Sequence, residues 1–594
     1  MANIPLTYVP IVSSGGKRVS YILPSGGVKF SEDGGIVAAG KCRKMNNFDL
    51  FEGKIKSRKA FYPRFDSFVA EGEFHGMHEN PFYDKIIFHA GTCLYSYDGG
   101  ENPPELISDI LPDKKSIFCE FLSKLFIYCG THVYSIDNGF KFTEEMPDAP
   151  LIYKNVVPGI RTSGVRTENN FNMLSPVMKV DYVETDSYVY HFPIAPDLSR
   201  PLRIYEGDVL IETGYEVSQD NVQLVEYDLK TRKKTLSFVY YPLDPKAAGF
   251  ENIIEDCCIM TAFGGNAAGG TRLFLSGNEN KKGYYYKSPL LNPLYIGYDE
   301  FEIIGDGCEN VTCMKKMYGD LMIFTENSIY RMKYSFNEEG TYFTVKEISS
   351  EAGCDCPGSV QLIDNRLVFA NSKRGIFILD SAEESGEQNI KPISGNILSG
   401  SEGLSKLGAD NLKKSKSLDF DRKYLLFADG VVYIWDYDTT AFHDSGNYGK
   451  AQERLCWYTY DGINGDGFIG LGGYLFALSE NDGVKLYCLG NGENDDAAHV
   501  FESGISECFL PETRKHITEM DIRLCRYDDR DIVLSLYSDT EKYFEMILPK
   551  RKKEREKIRI KLPRKAVYGF GFSLMSQGKF EISSVSATYF EING

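Results

Sequence analysis

Tryptophan is almost missing from this chain of 594 residues: two, against 39 tyrosines and 38 phenylalanines. So few indoles leave little with which to stack on sugars. Histidine is scarce as well, at eight, and none sits in a setting that suggests a catalytic triad. The 14 cysteines never occur as Cys-x-x-Cys, and a share of about two per cent makes no disulfide scaffold. Several lie inside apolar runs such as Phe126-Ile-Tyr-Cys129, where Cys acts as a small hydrophobe, so free thiols made in a reducing cytosol are expected. No apolar run approaches the ~18 residues of a membrane span. The opening Met1–Leu6 lacks a basic stretch followed by an apolar one, so no secretory signal is expected. G-x-S-x-G, a Walker loop and H-E-x-x-H are all absent, and neither catalysis nor a cofactor is expected. Positive charge is outweighed, 66 Lys+Arg to 84 Asp+Glu, for a net charge of −18. That balance argues against a protein that coats nucleic acid, while leaving room for a local basic patch.

What is present points to pleated sheet. Aromatic and β-branched residues with 56 glycines suit half-buried strands and tight turns. Residues 87–99 and 127–139 are two copies of one hairpin, with Gly91, Tyr95 and Asp98 recurring as Gly130, Tyr134 and Asp137. Looser copies begin at Arg272, Leu321, Arg366, Tyr424 and Tyr474. A hairpin every 40–50 residues or so is the mark of a β-propeller, whose blades bury their faces against one another. Seven hairpins predict seven blades, within a range of six to eight.

Two stretches break the period. Residues 151–250 read as strands without a blade hairpin, an inserted β domain. Residues 496–594 alternate like a compact antiparallel sandwich. The expected organisation is an N-terminal strand segment over 1–55, first blades over 56–150, the insertion over 151–250, remaining blades over 251–495 and the C-terminal β-sandwich-like domain. One short helix is expected within 400–416, around Leu404, Leu407 and Leu412.

Chemical motifs are thin. His75-Gly-Met-His78 has no third ligand at zinc spacing, and no metal site is expected. Gly465-Asp-Gly-Phe-Ile-Gly470 matches G-x-G-x-x-G, but the residues after it read as strand rather than helix. The sharpest charge feature is Lys550, Arg551, Lys552, Lys553 and Arg555. It reads first as the wet face of a strand, because Ile558, Ile560 and Leu562 alternate with Arg559 and Lys561. A contact with an acidic partner or passing DNA is the sharper alternative.

Several segments have a family likeness. Asn46-Asn-Phe-Asp-Leu-Phe-Glu-Gly-Lys-Ile-Lys-Ser-Arg58 resembles the N-x-x-x-x-x-G-x-L-x-x-R segment of β-propeller tail proteins of tailed bacteriophages, with Ile55 in place of Leu. Phe171–Pro176, Thr271–Asn278 with Tyr284–Pro293, Asp320–Tyr330 and Gly353–Val360 resemble the same group. The resemblance implies a structural virion protein of nozzle, tail-tube or head–tail stabilisation type, a homo-oligomeric ring at the head–tail connector complex. Its implied partners are the portal-proximal adaptor ring and the tail fibres, with DNA passing through during ejection. The protein would be made in host cytoplasm and end in the virion tail. No catalytic residue is carried over. The rival readings are a receptor- or glycan-binding tail component using the propeller face, with Tyr284-Tyr-Tyr286 as stacking platforms, and an enzyme acting on envelope polysaccharide, disfavoured by the missing motifs.

Overall fold

A computed structural model describes residues 17–21, 27–30, 41–51, 54–78, 84–160, 163–265, 270–337, 340–380, 389–438, 455–480, 482–492, 496–505, 512–538, 541–550, 555–563 and 565–592. The chain is all-β and of β-propeller type. Among the described residues, six four-stranded antiparallel sheets and the first four strands of a nine-stranded sheet have the up-and-down order of blades. They run from Phe74–His78 to Glu105–Ser108, Ser116–Phe121 to Phe142–Glu145, Ile259–Phe263 to Phe301–Ile303, Val311–Met317 to Gly340–Ser349, Gln361–Ile363 to Ile390–Pro392, Lys416–Phe420 to Cys456–Asp461, and Gly467–Leu471 onward. The seven repeated hairpins are the middle two strands of these sheets. The second strand of the first blade, Ile86–Ala90, is buried at every position and those of the other blades at every position but their ends, because both faces are covered, which explains their continuous apolar runs. The turn between the middle strands of the first blade needs Gly91 at φ +57°, where a Cβ would meet the Glu71 carbonyl at 2.6 Å.

The chain divides into two compact units. Residues 70–353 hold the first four blades, whose innermost strands lie side by side in chain order. The insertion belongs to this unit. It pairs a six-stranded with a three-stranded sheet around its own core, in which Phe238 packs against Tyr182, Tyr190 and Phe192.

The other unit joins residues 1–69 to 354–594 and holds blades five to seven. The seventh blade takes its fourth strand from far upstream: Ala60–Pro63 pairs with Val484–Gly490, Tyr62 opposite Cys488. The sixth blade continues past its fourth strand. Cys456–Asp461 pairs in parallel with Lys44–Asn46, which pairs with His499–Glu502 and so leads into Phe570–Ser576, Val533–Ser538 and Glu541–Ile547. The second sheet of the C-terminal sandwich contains Phe48–Phe51, Lys54–Ser57, Phe580–Glu591, Lys515–Arg526 and Arg555–Lys561, with Lys17–Tyr21 on Phe580–Glu591. The segment read as a separate N-terminal one therefore supplies strands to both sheets of the C-terminal domain. The helix at Ala409–Lys413 follows a 3-10 turn at Leu404–Lys406, and a second helical turn, Tyr227–Lys230, lies in the insertion.

Candidate functional site

The motifs singled out by resemblance are buried fastenings. Asn47, fully buried at φ 62°, accepts from Arg58 Nε at 2.8 Å and donates to the Ala498 carbonyl at 2.8 Å. The Arg58 guanidinium also reaches the carbonyls of Lys59 and Asp461. Asn46 donates to the Asp461 carboxylate at 2.6 Å. These residues clamp the junction of sixth blade and sandwich. In the Gly353–Val360 segment, Asp355 accepts from the Ser372 backbone at 2.7 Å, and Ser417 Oγ donates to the Gly358 carbonyl. A Cβ on Gly358 would meet the Ser415 carbonyl at 2.2 Å, so the fifth blade is seated against the sixth at backbone distance.

The Phe171–Pro176 segment does the same for the insertion. Asn172, fully buried, uses both ends of its amide. Nδ2 donates to the carbonyls of Asp148 (3.0 Å) and Leu294 (2.7 Å), and Oδ1 accepts from the Leu174 and Ile296 amides. One side chain thus joins the exit of the second blade, the insertion and a third-blade loop. Ser175 adds a bond to the Thr131 carbonyl, and Arg200 lies 3.5 Å over the Tyr241 ring.

Beside this fastening the surface opens into a cleft of about 580 Å³. Asp148, Glu168, Asn170, Tyr295, Tyr298 and Asp299 line it, and no lining residue is basic. Asp148 accepts from Asn292 Nδ2 at 2.6 Å. Burial, reinforced by Asp299, Glu300 and Asp148, pushes the Tyr295 phenol up, so it stays a protonated donor at neutral pH. The lining comes from residues 148–150, 168–170 and 292–299, three polar loops that read along the chain as ordinary turns.

The other sequence-level candidates are dispersed. His75 Nε2 lies 2.6 Å from Asp113, and His78 Nε2 lies 3.0 Å from Glu120, so the two histidines serve different carboxylates. Among the described residues no group of three or more His, Cys, Asp or Glu is placed to hold a metal ion. Gly467–Leu471 is the innermost strand of the seventh blade, followed by strand Tyr474–Glu480. Tyr284–Tyr286 is not a stacking platform: Tyr285 and Tyr286 are buried in blade core, the Tyr285 hydroxyl donates to Glu302, and Tyr284 stacks on Phe301.

Of the basic cluster, Arg551, Lys552 and Lys553 lie outside the described residues. Lys550 pairs with Asp531 at 3.1 Å. Arg555 is exposed at the start of Arg555–Lys561, a strand whose side chains alternate strictly between solvent and core. On its wet face Arg559 meets Asp521 at 2.9 Å, where Arg18 also converges at 2.7 Å. Burial pushes the Asp521 carboxyl up, but its bond to Arg559 and the charges of Lys557, Arg559 and Arg18 outweigh it and hold it low. Part of the face's positive charge is thus answered within its own sheet.

Sheets and site together define a β-propeller with a β domain set between its second and third blades and a sandwich grown from its sixth. No family model matches the chain, and no curated protein matches it. Solved structures give distant likenesses. The AfRom2 CNH domain is 7% identical with a TM-score of 0.31, covering 73% of this chain and 100% of that one. Hsv2 of Kluyveromyces lactis is 9% identical with a TM-score of 0.24, covering 66% and 97%. AztD of Citrobacter koseri, in its apo form, is 9% identical with a TM-score of 0.28, covering 66% and 90%.

Proposed function

We propose that the chain is a structural virion protein of a tailed bacteriophage: a non-catalytic, ring-forming propeller component of the tail, contributing to tail assembly and the DNA ejection conduit. One observation carries the reading. Eleven of the thirty-one large hydrophobic side chains exposed among the described residues fall in the insertion, including Val209 at 69% and Tyr227 at 78%. Val209 and Leu210 lie on an edge strand of its larger sheet, Val209–Ile211, an open row of backbone donors and acceptors. Copies that each carry −18 repel one another at long range, so a contact between them is served by uncharged surface. The occupant proposed for this edge is the next copy in a ring that closes by rotation. The acidic balance suits a wall along which DNA slides without sticking.

Electron microscopy and mass spectrometry of purified particles test the assignment; absence of the chain from virions overturns it. Light scattering of recombinant protein tests the contact. Val209→Asp with Leu210→Asp is expected to shift the ring toward monomer, and an unchanged mass defeats that contact.

A further inference from the structure

We propose that the cleft between insertion and third blade is a binding site for a neutral oligosaccharide. Its polar groups are those that recognise hydroxyls. Asp148, Glu168 and Asp299 offer acceptors, Asn170 offers both donor and acceptor, and Tyr295 offers a phenol kept protonated. Three carboxylates with no cation among the lining residues repel an anion, so uronic or sialic acids are disfavoured. Nor is this an ion cage, since no three such groups converge on one point among the described residues. Acceptors spread along a wall match hydroxyls spread along a sugar. Tyr298, exposed at 47%, supplies an aromatic face for a pyranose ring.

The cleft is also built to hold its shape. Asn172 ties together the second-blade exit, the insertion and the third-blade loop, and Asn292 holds Asp148 by one bond and the Leu294 amide by another. A lining fixed before binding loses little freedom when the ligand arrives. The volume, about 580 Å³, lies within the usual range for small-molecule sites. This site is independent of the virion reading and also independent of the tyrosine run that the rival glycan-binding reading used as stacking platforms.

The test uses the full chain with soluble neutral gluco-, galacto-, manno-, rhamno- and N-acetylglucosamine oligomers, read by saturation-transfer NMR and calorimetry. At least one series is expected to bind. Tyr298→Ala and Asp299→Ala should each weaken it by about tenfold, with melting temperature unchanged because both side chains are exposed. Glu168→Gln, which keeps an acceptor, should weaken it less. Failure of every neutral oligomer to bind at millimolar concentration overturns the proposal. So does binding that survives both alanine variants, preferential binding of uronic-acid oligomers, or binding of spermidine in place of the sugars. None of these results bears on whether the chain is found in virions.

Discussion

At the scale of single residues, the side chains with most to lose are polar and buried. Asn172→Ala leaves the Leu174 and Ile296 amides and the Asp148 carbonyl without that partner, while the Leu294 carbonyl keeps the Asp148 amide; since an unmet buried group costs ~1–3 kcal/mol, a loss of about 2–4 kcal/mol is expected in urea unfolding. Arg58→Lys keeps the charge but not the fork that reaches Asn47, Lys59 and Asp461, so it should cost about 1–3 kcal/mol despite its conservative look. His89 adds a pH dependence. Burial, helped by the charge of His75, pushes it down to about 4, against ~6.5 for the unfolded chain. The unfolded chain therefore takes up this proton first. The stability tied to neutral His89 is whole above pH ~6.5 and is lost as pH falls toward 4. His89→Asn, whose amide stands where the Nδ1 that meets Ser116 Oγ stands, should flatten the fall in melting temperature across that window. An unaltered slope would show that other groups set it.

Among elements, Ala60–Pro63 completes a blade with a partner far along the chain. Tyr62 and Cys488 face each other across its pairing with Val484–Gly490. Directly opposed residues in an antiparallel pair lie about 4.5–5.5 Å apart at Cα, within disulfide reach. Tyr62→Cys is therefore expected to cross-link to Cys488 on mild oxidation, identified by peptide mapping under non-reducing conditions; a link to another cysteine would contradict the register. The hairpins were legible because each pairs neighbours in sequence, so turn, apolar run and repeat all fall within about fifteen residues, as from Ile86 to Tyr97. Ala60–Pro63 and Lys44–Asn46 were not. Strands of four and three residues carry almost no periodicity, and their partners lie some four hundred residues away. The resemblance motifs were visible as strings, but their purpose was not: Asn46, Asn47 and Arg58 look polar enough for a surface, and it is the Arg58–Asn47 bond and the bonds of Asn46 and Arg58 to Asp461 that allow burial. The cleft was illegible for a like reason, being assembled from three loops that no local pattern connects.

For the molecule as a whole, the insertion is the piece most able to stand alone. Its core is drawn from Ile152 to Phe250, with Phe238 at the centre of an aromatic group. Residues 150–251 expressed separately should unfold in one cooperative transition, followed by tyrosine fluorescence. A gradual, non-cooperative change would mean that the fastening at Asn172 is required for folding. The interleaving of the two ends has a consequence for synthesis. Strand Lys17–Tyr21 waits for a partner whose end, Glu591, lies 574 residues from Lys17, and at ~5–20 residues per second that wait is roughly half a minute to two minutes. Residues 70–353 can complete their sheets while still tethered to the ribosome, whereas the strands of residues 17–63 emerge first and are seated last. Through that interval the nascent chain carries open strand edges at its leading end, so a chaperone that shields them should raise the yield of the full chain far more than that of residues 70–353 alone.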